Sequence, residues 1–249
     1  MAIRAVVFDL FDTLVDLSMR DLPRVEIGGR WVPSTADALH EVVADYASVE
    51  RAHFIAVLTE VDRAFRETRH ARGLELPTLE RFEAVVDRLG IDAPELPNLL
   101  TQTHMGMIRD QVSIPEHHEK ILGDLARRAR LGLCSNFSHS AMALSLLDDC
   151  GFRPHLDALA ISDAVGIRKP RPEIFEAVLA ELGVAPEEAL HVGDSLSADV
   201  GGAAPLGIRT AWITRRIADP EAALRAHDGA KPDCVIEDLC EVEGLLDGA

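Results

Sequence analysis

The sequence predicts an α/β protein with a parallel-sheet core and a mainly helical insert, and three observations support this fold class. Residues 5–10 form an apolar run closed by Asp9, which is typical of a strand buried on both faces. From about residue 131 onward, short apolar runs alternate with helical patterns, as in a parallel sheet with crossover helices. Between these two regions, the chain shows mainly helical periodicity.

The same patterns predict the order of the elements. After the first strand, core strands are expected at residues 131–134, 159–161, 190–192, 210–213 and 234–236. A hairpin is expected near residues 25–32, because the pair Gly28-Gly29 supplies the positive φ angles of a tight turn. We therefore predict a core domain of residues 1–15 and 111–249 and a helical domain of residues 16–110.

Composition and charge limit the classes of partner. A chain of 249 residues that is 47% hydrophobic is long enough for a core domain with a smaller second domain. The net charge of −17 argues against nucleic acid or an anionic membrane as a partner, because both would repel the protein. Four scattered cysteines without C-x-x-C spacing, no signal-peptide pattern and no membrane-length apolar run indicate a cytoplasmic protein.

Carboxylates follow two of the predicted strands. Asp9 closes the first strand, and Asp194 and Asp199 follow the strand at 190–192. Ligands of open α/β sheets bind beyond the carboxyl ends of the strands, and hard oxygen ligands at such a place suit Mg²⁺. Helix capping is the ordinary alternative for an aspartate at each of these positions.

Two further segments offer groups for an anion. Ser135 and Asn136 follow the strand at 131–134, where a hydroxyl and backbone N–H groups can hold an anionic oxygen, although this pair is also common in ordinary turns. Lys169 precedes Pro170 and Pro172, which restrict the backbone so that the ammonium group can be held in one place. A solvated basic turn is the alternative for the lysine.

Together and in this order, the four segments resemble the four motifs of the haloacid dehalogenase superfamily. The most specific matches are Gly193-Asp194 with Asp199, and the run from Lys169 to Pro172. The insert is similar to the helical cap of the haloacid dehalogenase-like and phosphoglycolate phosphatase-like branches. The resemblance implies a Rossmann-like core with a cap domain, and a Mg²⁺-dependent hydrolase that acts on a small phosphate monoester.

The resemblance also implies roles for individual residues. Asp9 would attack phosphorus and form an aspartyl-phosphate that water then hydrolyses, with Ser135 and Lys169 as further catalytic groups. Mg²⁺ would be bound by the carboxylates of Asp9 and Asp194 and by the backbone carbonyl of Phe11. Asp199 would hold Lys169 or a metal-bound water. The implied phosphate-binding side chains are those of Thr13, Ser135, Asn136 and Lys169.

One position departs from the phosphatase pattern. Phosphatases of this superfamily usually carry a second aspartate, a general acid/base, at the position of Phe11. General acid/base catalysis contributes typically about 10²–10⁴-fold to the rate. Three hypotheses follow: the substrate has a good leaving group, such as a sugar 1-phosphate, acyl phosphate or aryl phosphate; Asp12, His139 or a cap residue replaces the acid; or the protein is not a phosphatase.

Two other functions remain as alternatives. The dehalogenase branch usually has an aromatic residue at the position of Phe11 and attacks carbon through the aspartate, without a metal. That branch loses the Gly-Asp pair of the fourth motif, which is intact here as Gly193-Asp194, so the phosphatase is favoured. The second alternative is a weakly active or inactive binding or regulatory protein. The sequence gives no indication of the substrate's identity or of the oligomeric state.

Overall fold

The computed structural model describes residues 2–247. The chain divides into two compact units, which we call the core unit, residues 1–16 with 113–249, and the insert unit, residues 17–112. The strands are β1 (Ala5–Phe8), β2 (Asp16–Leu17), β3 (Arg24–Ile27), β4 (Arg30–Pro33), β5 (Val112–Ser113), β6 (Arg130–Ser135), β7 (Ala158–Ile161), β8 (Ala189–Gly193), β9 (Arg209–Ile213) and β10 (Cys234–Ile236).

Six of these strands form the sheet of the core unit. Their order is β10-β9-β8-β1-β6-β7, and every neighbouring pair is parallel. β1 is buried along its whole length, as expected for a parallel strand covered on both faces. The α/β fold class and the parallel-sheet core are therefore confirmed.

Helices connect the strands and cover the sheet. They are α1 (Ala36–Ala44), α2 (Arg51–Thr68), α3 (Thr78–Leu89), α4 (Leu96–Arg109), α5 (His118–Leu125), α6 (Ser140–Asp149), α7 (Ser162–Val165), α8 (Pro172–Leu182), α9 (Gly201–Ala203), α10 (Pro220–Ala226) and α11 (Val242–Asp247). A π-helical turn, Leu196–Val200, leads into α9. Within residues 2–247, no helix is both long enough and apolar enough to cross a membrane.

Gly132 of β6 allows α8 to pack closely on the sheet. A Cβ atom at this position would lie 2.9 Å from Leu182 Cδ1 and 2.9 Å from Val178 Cγ2, closer than carbon atoms approach in a packed interior. The glycine is therefore explained by close packing, since no turn occurs at this point of the strand.

The insert unit combines a hairpin with helices α1–α4. β3 and β4 pair antiparallel, and Gly28 and Gly29 in the turn have φ angles of 59° and 76°. Two consecutive positive φ angles are the requirement of a type I′ turn. The apolar faces of the helices meet in one core, whose largest fully buried side chains include Phe54 and Phe82. The insert is thus mainly helical.

Candidate active site

The strand order brings three chain segments to one edge of the core sheet. β1 lies between β6 and β8, with Phe8 aligned with Leu133 on one side and with Val192 on the other. The residues that follow these strands therefore leave the sheet side by side. The strand order changes direction at β1, because β8 to β10 continue on one side and β6 and β7 on the other. Open α/β sheets bind ligands at such a point.

Lys169 connects these segments. Its ammonium group donates to Asp9 Oδ1, to Asp199 Oδ1 and to the carbonyl oxygen of Cys134, each at 2.6 Å. Only 2% of the lysine side chain is exposed to solvent. All three protons of the ammonium group have an acceptor, so the lysine is fixed between the two carboxylates.

Asn136 determines where the lysine backbone lies. The Asn136 side chain donates from Nδ2 to the carbonyl oxygen of Lys169 at 3.0 Å, and its Oδ1 accepts from the Lys169 N–H at 2.7 Å. The family resemblance implied that this side chain binds phosphate. In the structure, both polar atoms of its amide group bond to the lysine backbone.

Asp199 is held by two further donors. His191 Nε2 donates to Oδ1 and the Ser195 N–H donates to Oδ2, both at 2.9 Å. Burial tends to raise the pKa of Asp199, but the charges and hydrogen bonds of Lys169 and His191 outweigh it and hold the pKa below its ordinary value. Gly193 leaves room for this carboxylate, because a Cβ there would lie 2.2 Å from Asp199 Cγ.

Asp194 completes a group of three carboxylates. One carboxylate oxygen each of Asp9, Asp194 and Asp199 lies within 4.8 Å of the others. Burial, with the charges of Asp9 and Asp199, raises the pKa of Asp194 to about 7. Burial also raises the pKa of Asp9, and the nearby charge of Lys169 offsets this in part. The cluster is therefore short of positive charge, and its oxygen donors fit a hard divalent cation such as Mg²⁺.

Two hydroxyl groups from the predicted site are buried without hydrogen-bond partners. Within residues 2–247, Thr13 Oγ1 and Ser135 Oγ have no protein partner. Thr13 follows β1 and Ser135 ends β6, so they belong to the two adjacent segments at the sheet edge. A buried hydroxyl without a partner is costly, so both groups fit a site that receives an anionic ligand.

Phe11 lies at the position where the resemblance to phosphatases predicts a second aspartate. Its half-buried ring packs on Phe137, with 4.8 Å between the ring centroids. Of the two named substitutes for the acid, Asp12 accepts a hydrogen bond from Arg216 Nε at 3.1 Å. His139 Nδ1 accepts from the Met142 N–H at 3.1 Å and caps α6. Each substitute therefore already has a partner in the structure.

Two side chains that stabilise the site, His191 and Trp212, were not predicted from the sequence. His191 lies on β8 and is 1% exposed, and the signal for it was a histidine two residues before Gly193 in an otherwise apolar strand. Trp212 on β9 donates from Nε1 to the carbonyl oxygen of Asp194 at 2.6 Å. No local pattern indicated the tryptophan, because its contact depends on the pairing of β8 with β9.

Comparison with known proteins gives relatives that are named phosphatases. A phosphoserine phosphatase of Thermus thermophilus is 36% identical over 170 residues, which cover 67% of this chain and 64% of that protein. A glyceraldehyde 3-phosphate phosphatase of Pyrococcus furiosus is 29% identical over 221 residues, covering 85% of this chain and 80% of the relative. The chain thus matches slightly less than two thirds of the length of the first relative.

Solved structures and a family match extend the comparison over the whole fold. A 2-haloacid dehalogenase from Pseudomonas syringae superposes with a TM-score of 0.67 at 23% identity, over 99% of both chains. The HAD-hydrolase YfnB of Bacillus subtilis, solved with magnesium bound, gives a TM-score of 0.60 at 23% identity, over 99% of this chain and all of that one. Since residues 3–207 match the haloacid dehalogenase-like hydrolases, the chain belongs to that family.

Proposed function

We propose that this protein is a Mg²⁺-dependent phosphatase of small phosphomonoesters that acts through an aspartyl-phosphate on Asp9. The carboxylate cluster of Asp9, Asp194 and Asp199 carries the proposal. Displacement at carbon by a carboxylate needs no divalent cation, whereas attack on a phosphate dianion brings negative charges together. The phosphatase names of the relatives support the same chemistry.

The carboxylates of Asp9 and Asp194 and the backbone carbonyl of Phe11 would hold the metal. When bound there, Mg²⁺ offsets the repulsion between the nucleophilic carboxylate and the phosphate. Burial, with the charges of Asp9 and Asp199, raises the pKa of Asp194 to about 7, and a bound cation would offset these charges. That is the environment expected of a metal ligand whose ion is part of the working site.

The residues of the chain then orient the reaction. Lys169 fixes the Asp9 carboxylate through Oδ1 and adds positive charge for the phosphoryl group. Asp199 accepts a hydrogen bond from the ammonium group of Lys169, and Asn136 accepts one from its backbone N–H, so both residues hold the lysine in that position. The hydroxyl of Ser135, with that of Thr13, donates to phosphoryl oxygens. Water finally hydrolyses the aspartyl-phosphate.

The residue at position 11 defines the class of substrate. Phe11 provides no proton for the departing oxygen, and Asp12 and His139 are engaged with Arg216 and with the N-terminus of α6. A leaving group of low pKa needs no proton donor. The proposed substrates are therefore small phosphate esters or anhydrides with good leaving groups, such as aryl phosphates, acyl phosphates and sugar 1-phosphates.

Release of inorganic phosphate from a panel of such compounds tests the proposal. One arm of the assay contains Mg²⁺, and the other contains a chelator and no added Mg²⁺. Wild-type turnover should require Mg²⁺, Asp9→Asn should abolish it, and Asp228→Asn, at an exposed aspartate of the core unit, should leave it unchanged. Turnover that persists in Asp9→Asn, or phosphate release at the same rate with and without Mg²⁺, would contradict the mechanism.

The packing of Phe11 on Phe137 favours a second candidate, a 2-haloacid dehalogenase that attacks carbon through Asp9. A halide-release assay on 2-haloacids without metal distinguishes the two functions. Halide release in the presence of a chelator, together with no phosphate release from the panel, would show a dehalogenase and contradict the phosphatase proposal. No product in either assay would favour a binding or regulatory protein.

A further inference from the structure

Two histidines and an aspartate meet in the core unit, in a cluster that the proposed phosphatase reaction does not use. His117 and His118 lie at the start of α5, and Asp238 precedes the short 3₁₀ turn Leu239–Glu241 after β10. One potential ligand atom of each residue lies within 4.8 Å of the other two. The cluster therefore joins the beginning of α5 to the C-terminal part of the chain.

The tautomer of His118 is determined by its surroundings. His118 Nδ1 lies 2.8 Å from the carbonyl oxygen of Leu14, and because a carbonyl only accepts hydrogen bonds, Nδ1 is the nitrogen that carries the proton. The imidazole is fully buried, which disfavours the charged, doubly protonated ring. Nε2 therefore carries a lone pair.

That lone pair has no partner in the part of the chain that the structure describes. His118 Nε2 is buried and makes no hydrogen bond within residues 2–247. A buried acceptor without a donor or cation costs about 1–3 kcal/mol. An imidazole whose Nδ1–H is fixed by a backbone carbonyl and whose Nε2 is open has the arrangement typical of histidine ligands to metals.

The other two members are also oriented. His117 Nε2 lies 3.0 Å from both carboxylate oxygens of Asp238. Asp238 Oδ1 also accepts from the Cys240 N–H at 3.0 Å. An ion pair of His117 with Asp238 alone would still leave His118 Nε2 without a partner.

We infer that His117, His118 and Asp238 form a second metal site, of the zinc type, which is distinct from the magnesium site proposed at Asp9 and Asp194. Two imidazole nitrogens and one carboxylate suit Zn²⁺, with water in the fourth position, whereas Mg²⁺ prefers oxygen ligands alone. On binding, the ion takes the place of the Nε2 proton that His117 directs at Asp238, and that proton moves to Nδ1 of the same ring or to solvent.

The surrounding charges and the position in the fold are compatible with this role. Arg215 is near enough to His118 to disfavour its charged form, but its guanidinium group is itself paired with Asp16. The ion would link the start of α5 to the turn after the edge strand β10. We therefore assign the site a structural role, in which metal binding opposes separation of the C-terminal segment from the sheet.

Zinc titration of untagged protein with the Asp194→Asn substitution tests the inference, because that background weakens the carboxylate cluster. Calorimetry of chelator-treated protein should show one zinc ion per chain. The affinity should fall at least about tenfold in His117→Gln and His118→Asn. The asparagine amide can still donate to Leu14, and the glutamine amide can still donate to Asp238, so both variants retain hydrogen-bond donors. His53→Gln, at an exposed histidine of the insert unit, is the matched control.

Thermal unfolding gives an independent readout. Zinc should raise the melting temperature of the Asp194→Asn protein and of its His53→Gln derivative, but not of the His117→Gln derivative, whose residue is exposed and can be replaced without disturbing the core. Binding that is absent, or that is equally tight in all three histidine variants, overturns the inference. The proposed phosphatase function is unaffected by either result, since its test uses Mg²⁺ and Asp9.

Discussion

Replacing Lys169 by methionine should destabilise the core unit strongly. Methionine keeps most of the apolar stem but leaves Asp9 and Asp199 facing each other without the ammonium group that contacts both at 2.6 Å. Only 2% of the lysine and Asp199 side chains and 12% of the Asp9 side chain are exposed, so solvent screens these charges little. Removing one partner of a buried ion pair typically costs about 3–5 kcal/mol.

Urea denaturation followed by tryptophan fluorescence measures this loss. Trp31 is exposed in the insert unit and Trp212 is buried in the core sheet, so a Trp31→Phe background reports on the core unit alone. With a denaturant slope of about 2–3 kcal/mol per molar urea, the loss corresponds to a midpoint about 1–2 M lower. Lys120→Met is the control, because Lys120 is 82% exposed and its pairing with Asp124 should be dispensable.

The pH dependence tests the physical cause. In the wild type, the pKa of Asp199 is depressed, so its contribution to stability is present above the ordinary carboxyl pKa and is lost as pH falls through the depressed value. The pKa of Lys169 is raised, so its contribution is fully present below the ordinary lysine pKa. Without the lysine, burial raises the carboxyl pKa values, and protonation then relieves the repulsion.

The deficit of Lys169→Met should therefore shrink as pH falls from 8 to about 5 in metal-free buffer, because the raised pKa values let the buried carboxylates of the variant take up protons before ordinary carboxyl groups do. A midpoint shift of less than about 0.3 M at pH 8 would refute the reasoning, given the slope above. A shift of the expected size that does not change with pH would show that packing, and not the paired charges, is responsible.

Three further predictions concern the same site. The pKa of Asp194 is raised to about 7, so a proton and the metal compete for its carboxylate near neutral pH. Calorimetry should therefore show that Mg²⁺ affinity falls about tenfold from pH 8 to pH 6. An affinity that does not change with pH contradicts Asp194 as a ligand. Gly193→Ala should displace Asp199 and lower kcat by at least about tenfold in steady-state assays, whereas Gly132→Ala should lower stability by about 1–3 kcal/mol with kcat unchanged. Phe11→Asp should raise turnover of alkyl phosphates relative to aryl phosphates, and an unchanged ratio would remove the leaving-group argument.

Much of the fold follows from local patterns. The apolar run of β1 and the alternation after residue 131 indicated buried parallel strands, and β10 lies at the residues expected, 234–236. These predictions succeed because burial on both faces leaves a continuous apolar pattern that does not depend on distant residues. The pair Gly28-Gly29 likewise determines its turn through backbone conformation alone.

The arrangement of the site depended on contacts that no local pattern contains. The sequence offered Asn136 as a ligand for phosphate, but the amide meets the Lys169 backbone, which comes from a segment beyond β7. The turn after Gly193 resembled an ordinary helix start, yet it is a π-helical turn in which the N–H groups of Asp199 and Val200 both bond to the Ser195 carbonyl. Such geometry arises from packing of the whole sheet.

The three bonds of Lys169 also have a consequence for the order of events during synthesis. Lys169 lies 160 residues after Asp9 and 30 residues before Asp199 along the chain. Contacts between such distant residues form late, because long loops must close first. In a nascent chain that does not yet include Asp199, Asp9 and Lys169 lack the second carboxylate of their hydrogen-bond network. We therefore expect ribosome-bound chains that end before β8 to stay open to proteases, and those extended past α9 to become resistant in one step.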